Sequence, residues 1–200
     1  ACIGAAQANP ESPNIQVGFY KVKKEMASDD VIALLVDPEN IVTDDVTIPE
    51  GLRVVDVVDI LAKATDYSKA DFQKVLDQPE KLGLPDYAEG NPEGYLFPAT
   101  YNVQPNTPPI KVLQEMVTQF GKEAADIGLP AAAAHAELTQ AQVITVASLI
   151  QAEGGRTSDY PKIARVIYNR LNTSPQIPLQ LDSTVMYALH RYGIIATAQQ

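Results

Sequence analysis

Ala147-Ser148-Leu149-Ile150-Gln151-Ala152-Glu153-Gly154-Gly155 is the stretch on which the reading of this chain turns, because an apolar helix runs directly into one carboxylate and two glycines. Thr139 with Gln142 three residues later makes a capping box, which predicts a helix starting at Gln140 and stopped by the glycine pair. Val143, Val146, Ala147 and Ile150 form its buried stripe, with Glu153 at the edge, facing inward or into a groove. The unpaired carbonyls of a helix make its C-terminal end partially negative, so a carboxylate held there tends to keep its proton. A protonated carboxyl near neutral pH is what a general acid needs, and Glu153 is the candidate. The plain alternative is a solvated glutamate in a last turn, the commoner arrangement for this residue type.

Downstream, Asp159, Tyr160 and Pro161 open another helix, expected to bury Ile163, Val166, Ile167 and Leu171 and to break before Pro175. Arg165, Asn169 and Arg170 lie off that stripe; the arginines read as solvated, and Asn169, near the helix end, is a weak candidate for function. The run Pro178-Leu179-Gln180-Leu181-Asp182-Ser183-Thr184-Val185-Met186-Tyr187 alternates like an extended segment and then turns helical, with Asp182 placed as the N-cap. Gln180 is in phase with Asp182, so both side chains should leave one side. An amide grouped with a carboxylate suits sugar hydroxyls, which need donors and acceptors.

Upstream, Gln16 to Val22 alternates like a short strand, Ser28 with Asp29 and Asp30 caps a helix through Val36, and Ile41 to Ile48 reads as a second strand ended by Pro49, Glu50 and Gly51. Apolar residues at 54, 57, 58 and 61 predict a helix from Val54 to Ala64. Residues 78–109 form a connector rich in Pro and Gly, inside which Glu93-Gly94-Tyr95-Leu96-Phe97-Pro98-Ala99-Thr100-Tyr101 is either a packed loop or the wall of a ligand groove. Pro109 to Ile127 is an amphipathic helix with Ile110, Leu113, Val117, Phe120, Ala124 and Ile127 on one side, read as core. The alanine run from Ala131 to Ala136 carries no chemistry.

Composition narrows the field. Two hundred residues, 46% hydrophobic and 20% charged, suffice for a sizeable core in one domain or two small ones. A net charge of −10 with scattered Lys and Arg argues against nucleic acid and anionic lipid as partners. The single cysteine, Cys2, permits no internal disulfide or cysteine-built metal site, and His135 and His190 have no zinc-type spacing and no nucleophile partner. No phosphate loop is present, and no apolar run approaches the roughly 20 residues that cross a bilayer. The chain opens without a basic segment, a signal-type stretch or an initiator Met, as expected of a piece excised from a longer protein.

With these segments in view, the chain resembles the endolytic murein transglycosylase family, membrane-anchored enzymes that cut peptidoglycan glycan strands internally. Three motifs in order carry the resemblance: Glu93 to Tyr101, Ala147 to Glu153, and Val166-Ile167-Tyr168-Asn169-Arg170-Leu171 with Leu179 to Tyr187. A weaker match runs through Gly18-Phe19-Tyr20 and Thr47-Ile48-Pro49-Glu50-Gly51. The resemblance implies an α+β fold: a small LysM-like N-terminal domain over residues 1–52, a helical connector over 53–90 and a mainly helical catalytic domain over 91–200. It implies Glu153 as the essential acid, with Gln180, Asp182, Glu93 and Asn169 lining the substrate groove. Ala99 stands where many members carry an acid, and Gln151 where many carry a Glu. The family continues past Gln200 with an Asn-Thr-Tyr element and a Gly-Pro-rich segment, so the C-terminal part of the catalytic domain is expected to be missing.

Hydrolytic glycosidases need two carboxylates about 5 to 9 Å apart. One well-placed acid suffices for a lytic transglycosylase, because the sugar's own 6-hydroxyl is the nucleophile and neither metal nor cofactor is required. The implied partners are peptidoglycan glycan strands, with cell-wall synthases as further candidates, and the implied location is the extracytoplasmic side of the membrane, with the N-terminal anchor outside this chain. One rival reading is a non-catalytic glycan-binding or scaffold protein. Another is aminodeoxychorismate lyase, which needs pyridoxal phosphate on a lysine; Lys162 is the only lysine in the motif-rich region and has no phosphate loop nearby.

Overall fold

The computed structural model describes residues 2–42, 44–175 and 177–192. It is helix-rich, with a single two-stranded antiparallel sheet among the described residues. Two compact units are present, and each is assembled from interleaved stretches of chain: Ala1–Glu50, Val55–Leu82 and Pro98–Glu115 in one, Gly51–Val54, Gly83–Phe97 and Met116–Gln200 in the other. Among the described residues no helix is long and apolar enough to cross a membrane.

In the first unit, α1 (Cys2–Ala8) packs on α2 (Ser28–Val36) through Ala5 and Ile32, both buried. Ser28 is the first helical residue and Ala27 holds the N-cap position, so the expected cap is displaced by one residue and makes no side-chain capping bond. The expected strand at Gln16–Val22 is reduced to an isolated bridge, Tyr20 to Ile41, with the Val42 N–H donating to the Phe19 carbonyl at 2.7 Å. Gly18 sits there because a Cβ would lie 3.1 Å from Ile41 Cγ2. Close approach of backbone to side chain explains the glycine, and it also breaks the alternation a longer strand would need.

β1 (Asp44–Thr47) pairs with β2 (Thr100–Val103), matching Val46 to Tyr101 and Thr47 to Thr100. Val46, Tyr101 and Val103 point into the core while Thr100 and Asn102 face out, the period of two that a one-sided sheet imposes. On the outer face the Thr47 and Thr100 hydroxyls lie 2.9 Å apart, and the Asn102 amide donates to Asp45 at 3.2 Å. The core is completed by Val57, Val58 and Leu61 of α3 (Val54–Ala64), Phe72 of α4 (Lys69–Leu76), and Val112 and Leu113 of α5 (Pro109–Asp126).

The second unit is built around α7 (Gln140–Glu153), on which α6 (Leu129–His135), α8 (Tyr160–Asn172) and α9 (Asp182–Ala188) pack. The capping box at its start is complete: Gln142 N–H donates to the Thr139 hydroxyl at 3.1 Å, and Thr139 N–H donates to the Gln142 side chain at 2.8 Å. The alanine-rich run, in which no chemistry is read, forms most of α6, which buries Leu129 and Ala133 one turn apart. Within the 93–101 stretch, Tyr95 packs as the packed-loop reading expects. Its ring meets Phe120 edge-on at 5.0 Å and Tyr87 at 5.9 Å, within a core that includes Ala88, Ala124 and Leu129. Gly94, at φ +88, passes so near Ile144 that a Cβ would be 3.2 Å from its Cγ2. Ile127, expected on the buried side of α5, lies one residue past the helix end and is exposed.

Candidate functional site

The C-terminal end of α7 is set by contact. Gly154 has φ −94 and ψ 115, an extended conformation, so the helix does not stop through the left-handed turn that glycine usually supplies. Its Cβ, if it had one, would lie 2.5 Å from Cε1 of Tyr160 and 2.9 Å from the Ile150 carbonyl oxygen. Tyr160, the first residue of α8, thus occupies the space a side chain at 154 would need, and it fixes where Glu153 leaves the helix.

Glu153 follows Val146 by seven residues, so both project from one face of α7. That face is buried at Val146, half-buried at Ile150 and open at Glu153, since the packing partners run out before the last turn. Of the two orientations expected for Glu153, inward or into a groove, the inward one is not adopted: its side chain is exposed. Ala147, expected in the buried stripe, is exposed as well, and the burial passes instead to half-buried Val143, Ile144 and Leu149.

Glu93, by contrast, is half-buried, and its carboxylate accepts from the Val54 N–H at 3.3 Å. Val54 is the first residue of α3, where N–H groups lack intrahelical acceptors and a negative charge is favoured. Two residues before Arg53, Gly51 at φ +76 passes the side-chain amide of Gln151, which a Cβ at 51 would meet at 3.8 Å. The segment Gly51–Val54 thus touches the last turn of α7 at one end and Glu93 at the other. Three residues span at most about 10 Å, so Gln151 and Glu93 belong to one neighbourhood.

Arg53 extends that neighbourhood to α9. Its guanidinium carbon lies 5.0 Å from the Tyr187 ring centroid and 4.5 Å from that of Tyr192, and Nη2 donates to the Arg191 carbonyl at 2.9 Å. Tyr187 is 47% exposed, so only its covered part is desolvated; that partial desolvation raises the phenol above its ordinary pKa, the charge of Glu93 adds to the rise, and Arg53 opposes it. Nothing in the local sequence around Arg53 signals this role, because its partners are more than 130 residues away in the chain.

Asp182 is the first residue of α9 rather than its cap, and Leu181 takes the N-cap position; a carboxylate in the first turn still faces the positive end of the helix. Gln180 has φ +51, in the left-handed region, which breaks the extended alternation and with it the expectation that Gln180 and Asp182 share a side. Arg170, read from sequence as solvated, is half-buried, and its Nη1 donates to the Leu179 carbonyl, tying the 179–181 segment to α8. Asn169 is exposed on α8, as is Val166, expected in the core, whereas Ile167 is buried there. Among the described residues no hydrogen bond or ion pair joins the side chains of Glu153, Asn169, Gln180 and Asp182. Lys162 stands on the surface at the start of α8, 3.7 Å from Asp159. An open hollow of about 330 Å3 lined by Ala5, Ala8, Asn9, Pro10, Asp29 and Ile32 includes none of the candidate residues.

Residues 2–200 match the model of the YceG-like family. The chain is 30% identical over 192 residues to the endolytic murein transglycosylase of Bacillus subtilis strain 168, covering 88% of this chain and 52% of that protein. It is 28% identical over 209 residues to the endolytic murein transglycosylase of Streptococcus pneumoniae serotype 2, strain D39, covering 90% of this chain and 36% of that protein. It therefore spans between about a third and a half of the length of these relatives. A crystal structure of a YceG-like protein from Listeria monocytogenes superposes with a TM-score of 0.68 at 24% identity, covering 99% of this chain and 69% of that one, which establishes the likeness of fold. With a family model matched along nearly its whole length, this chain belongs to the YceG-like family.

Proposed function

We propose that the protein is an endolytic peptidoglycan transglycosylase that cleaves the MurNAc–GlcNAc bond inside glycan strands. The observation that carries the reading is the match to relatives named endolytic murein transglycosylases, aligned along about nine-tenths of this chain. Glu153 is the proposed acid. Its carboxyl proton passes to the glycosidic oxygen as the C1–O bond breaks, and the resulting carboxylate removes the proton of the same sugar's 6-hydroxyl. O6 then bonds to C1, closing a 1,6-anhydro ring and returning Glu153 to its protonated form, so no water is consumed. Glu93, Gln180, Asp182 and Asn169 are the proposed glycan contacts, supported for Glu93 by its place beside Gly51–Val54 and the α9 tyrosine.

In this reading the N-terminal 1–52 stretch supplies a LysM-like glycan-binding part, 53–90 a helical connector and 91–200 the catalytic part, a division by function that cuts across the two packed units. The protein works on the extracytoplasmic side of the membrane, held by an N-terminal anchor, beside cell-wall synthases. The test is a Glu153→Gln variant of the intact protein incubated with purified peptidoglycan. Release of anhydromuropeptides should fall by at least about a hundredfold, the scale of losing general acid–base catalysis. Release at the wild-type rate assigns the chemistry elsewhere.

A second reading, glycan binding without cleavage, is favoured by the exposure of Glu153, since a general acid is commonly shielded from water. Retention of glycan strands with no new anhydro ends, in wild type and variant alike, is its signature.

A further inference from the structure

Arg53 does not belong to any motif that carries the family resemblance, yet it is the residue on which three parts of the second unit converge. One guanidinium faces the ring of Tyr187 on α9, faces the ring of Tyr192 beyond it, and donates to the carbonyl of Arg191 between them. The adjoining residue, Val54, binds Glu93 through its N–H. The charge on Glu93 is close enough to Tyr187 to oppose ionisation of the phenol, and that of Arg53 favours it, so the three groups share one electrostatic neighbourhood. α9 is a short helix of 7 residues, too short to hold its own geometry without tertiary contacts. It packs on α7, and its first residue is Asp182.

We propose that Arg53 is a positioning residue for glycan binding: by clamping Tyr187 and Tyr192 it holds α9, and hence Asp182, beside Glu93 and the end of α7. The proposal rests on the reading that glycan strands are the substrate. Arginine is needed because a planar, delocalised cation can lie on aromatic faces while its edge donates to a carbonyl, and a lysine ammonium cannot do both. The clamp predicts a particular ranking. Arg53→Ala, which removes every contact of the clamp, should weaken binding most; Tyr187→Leu should weaken it less, because Arg53 keeps the Tyr192 ring and the Arg191 carbonyl. Arg53→Lys should recover little, and Tyr187→Phe, which keeps the ring, should resemble wild type.

The experiment measures the affinity of the intact protein for purified glycan strands in a Glu153→Gln background, which prevents turnover, and separately KM and kcat with Glu153 restored. Arg53→Ala should lower affinity about tenfold, equivalent to ~1.4 kcal/mol, raising KM with kcat within about twofold. The double variant Arg53→Ala, Tyr187→Leu should bind no more weakly than Arg53→Ala alone, because without the guanidinium the Tyr187 contact is already lost. A titration of the Tyr187 phenol by carbon-labelled tyrosine NMR should shift upward in Arg53→Ala, a change that mere loosening of the fold does not produce. Wild-type affinity in Arg53→Ala, or full additivity in the double variant, overturns the proposal. If the affinities follow the ranking while the wild type releases no anhydro product, Arg53 keeps its role and the transglycosylase reading fails. If the wild type binds no strands at all, both fall.

Discussion

Between Gly154 and Tyr160 there is no room for a methyl group: the ring atoms Cε1 and Cδ1 stand 2.5 and 2.7 Å from where a Cβ would be. Gly154→Ala must push the ring aside or bend the end of α7, which should cost about 1–3 kcal/mol, the usual scale of overpacking. Gly155→Ala, whose Cβ would meet nothing within 4 Å, is the internal control and should stay within about 0.5 kcal/mol of wild type in urea unfolding. The glycine pair was legible in the sequence as a helix stop. Its cause was not, because a ring arriving from the next helix leaves no trace in local spacing. Asp71 offers a second residue-level test. The Ser68 hydroxyl, then Lys74, then the Ser68 N–H hold its carboxyl down from 3.8 to about 2. A depressed folded-state pKa means stability that is present above 3.8 and lost as pH falls through about 2. Asp71→Asn should therefore flatten the acid limb of a stability–pH curve in that window and leave the curve's shape near neutrality unchanged.

The elements owe their positions to a mixture of local and distant causes, and how much of each was legible follows that division. The capping box of α7 is local: Thr139 and Gln142 satisfy two orphan donors reciprocally, so the start at Gln140 could be read directly. Thr139→Ala should cost about 1 kcal/mol, seen as a lower unfolding midpoint and faster amide exchange in the first turn of α7. The same was true of α3, whose apolar spacing is preserved in its buried face. β2 was hidden inside a proline-rich connector, although the alternation of Thr100, Tyr101, Asn102 and Val103 was present to be read. Strand 16–22 failed for the opposite reason, having alternation but only a single bridge to pair with. Tyr101 makes the β1–β2 pairing measurable. Burial, with help from Glu115, pushes its phenol from 10 up to about 12. Between those values the unfolded chain has lost the proton and the folded one keeps it, so stability falls as pH rises through the window. The loss from this group should approach roughly 2–3 kcal/mol at 1.36 kcal/mol per unit, and Tyr101→Phe should remove that share of the alkaline slope, leaving the smaller part due to Tyr87, Tyr95 and Tyr187.

At the scale of the whole molecule, three stretches of chain interleave to make each compact unit, so no contiguous cut through the sequence isolates one of them. Hydrophobic spacing cannot announce such an arrangement, because it reports which face of an element is buried and never against what. The site inherits this property. As candidates, Glu153 is named by its place at a helix end and Glu93 by its motif, but Arg53 and Arg170 became visible only through partners brought together by the fold. The proposed chemistry, which rests on the one exposed carboxylate of Glu153, can be separated from ordinary hydrolysis by following oxygen. Hydrolysis transfers an oxygen from water to C1 of the new end, whereas ring closure uses O6 of the same sugar and leaves water untouched. Digestion of purified peptidoglycan by the intact protein in water enriched in heavy oxygen should therefore release muropeptides that carry no label and are each one water lighter than the hydrolytic product. Sodium borohydride, which reduces a free reducing end, should leave them unchanged because the anhydro ring has none. Labelled, reducible products would show that water is the nucleophile, and a second carboxylate or a held water near Glu153 would then have to supply the base.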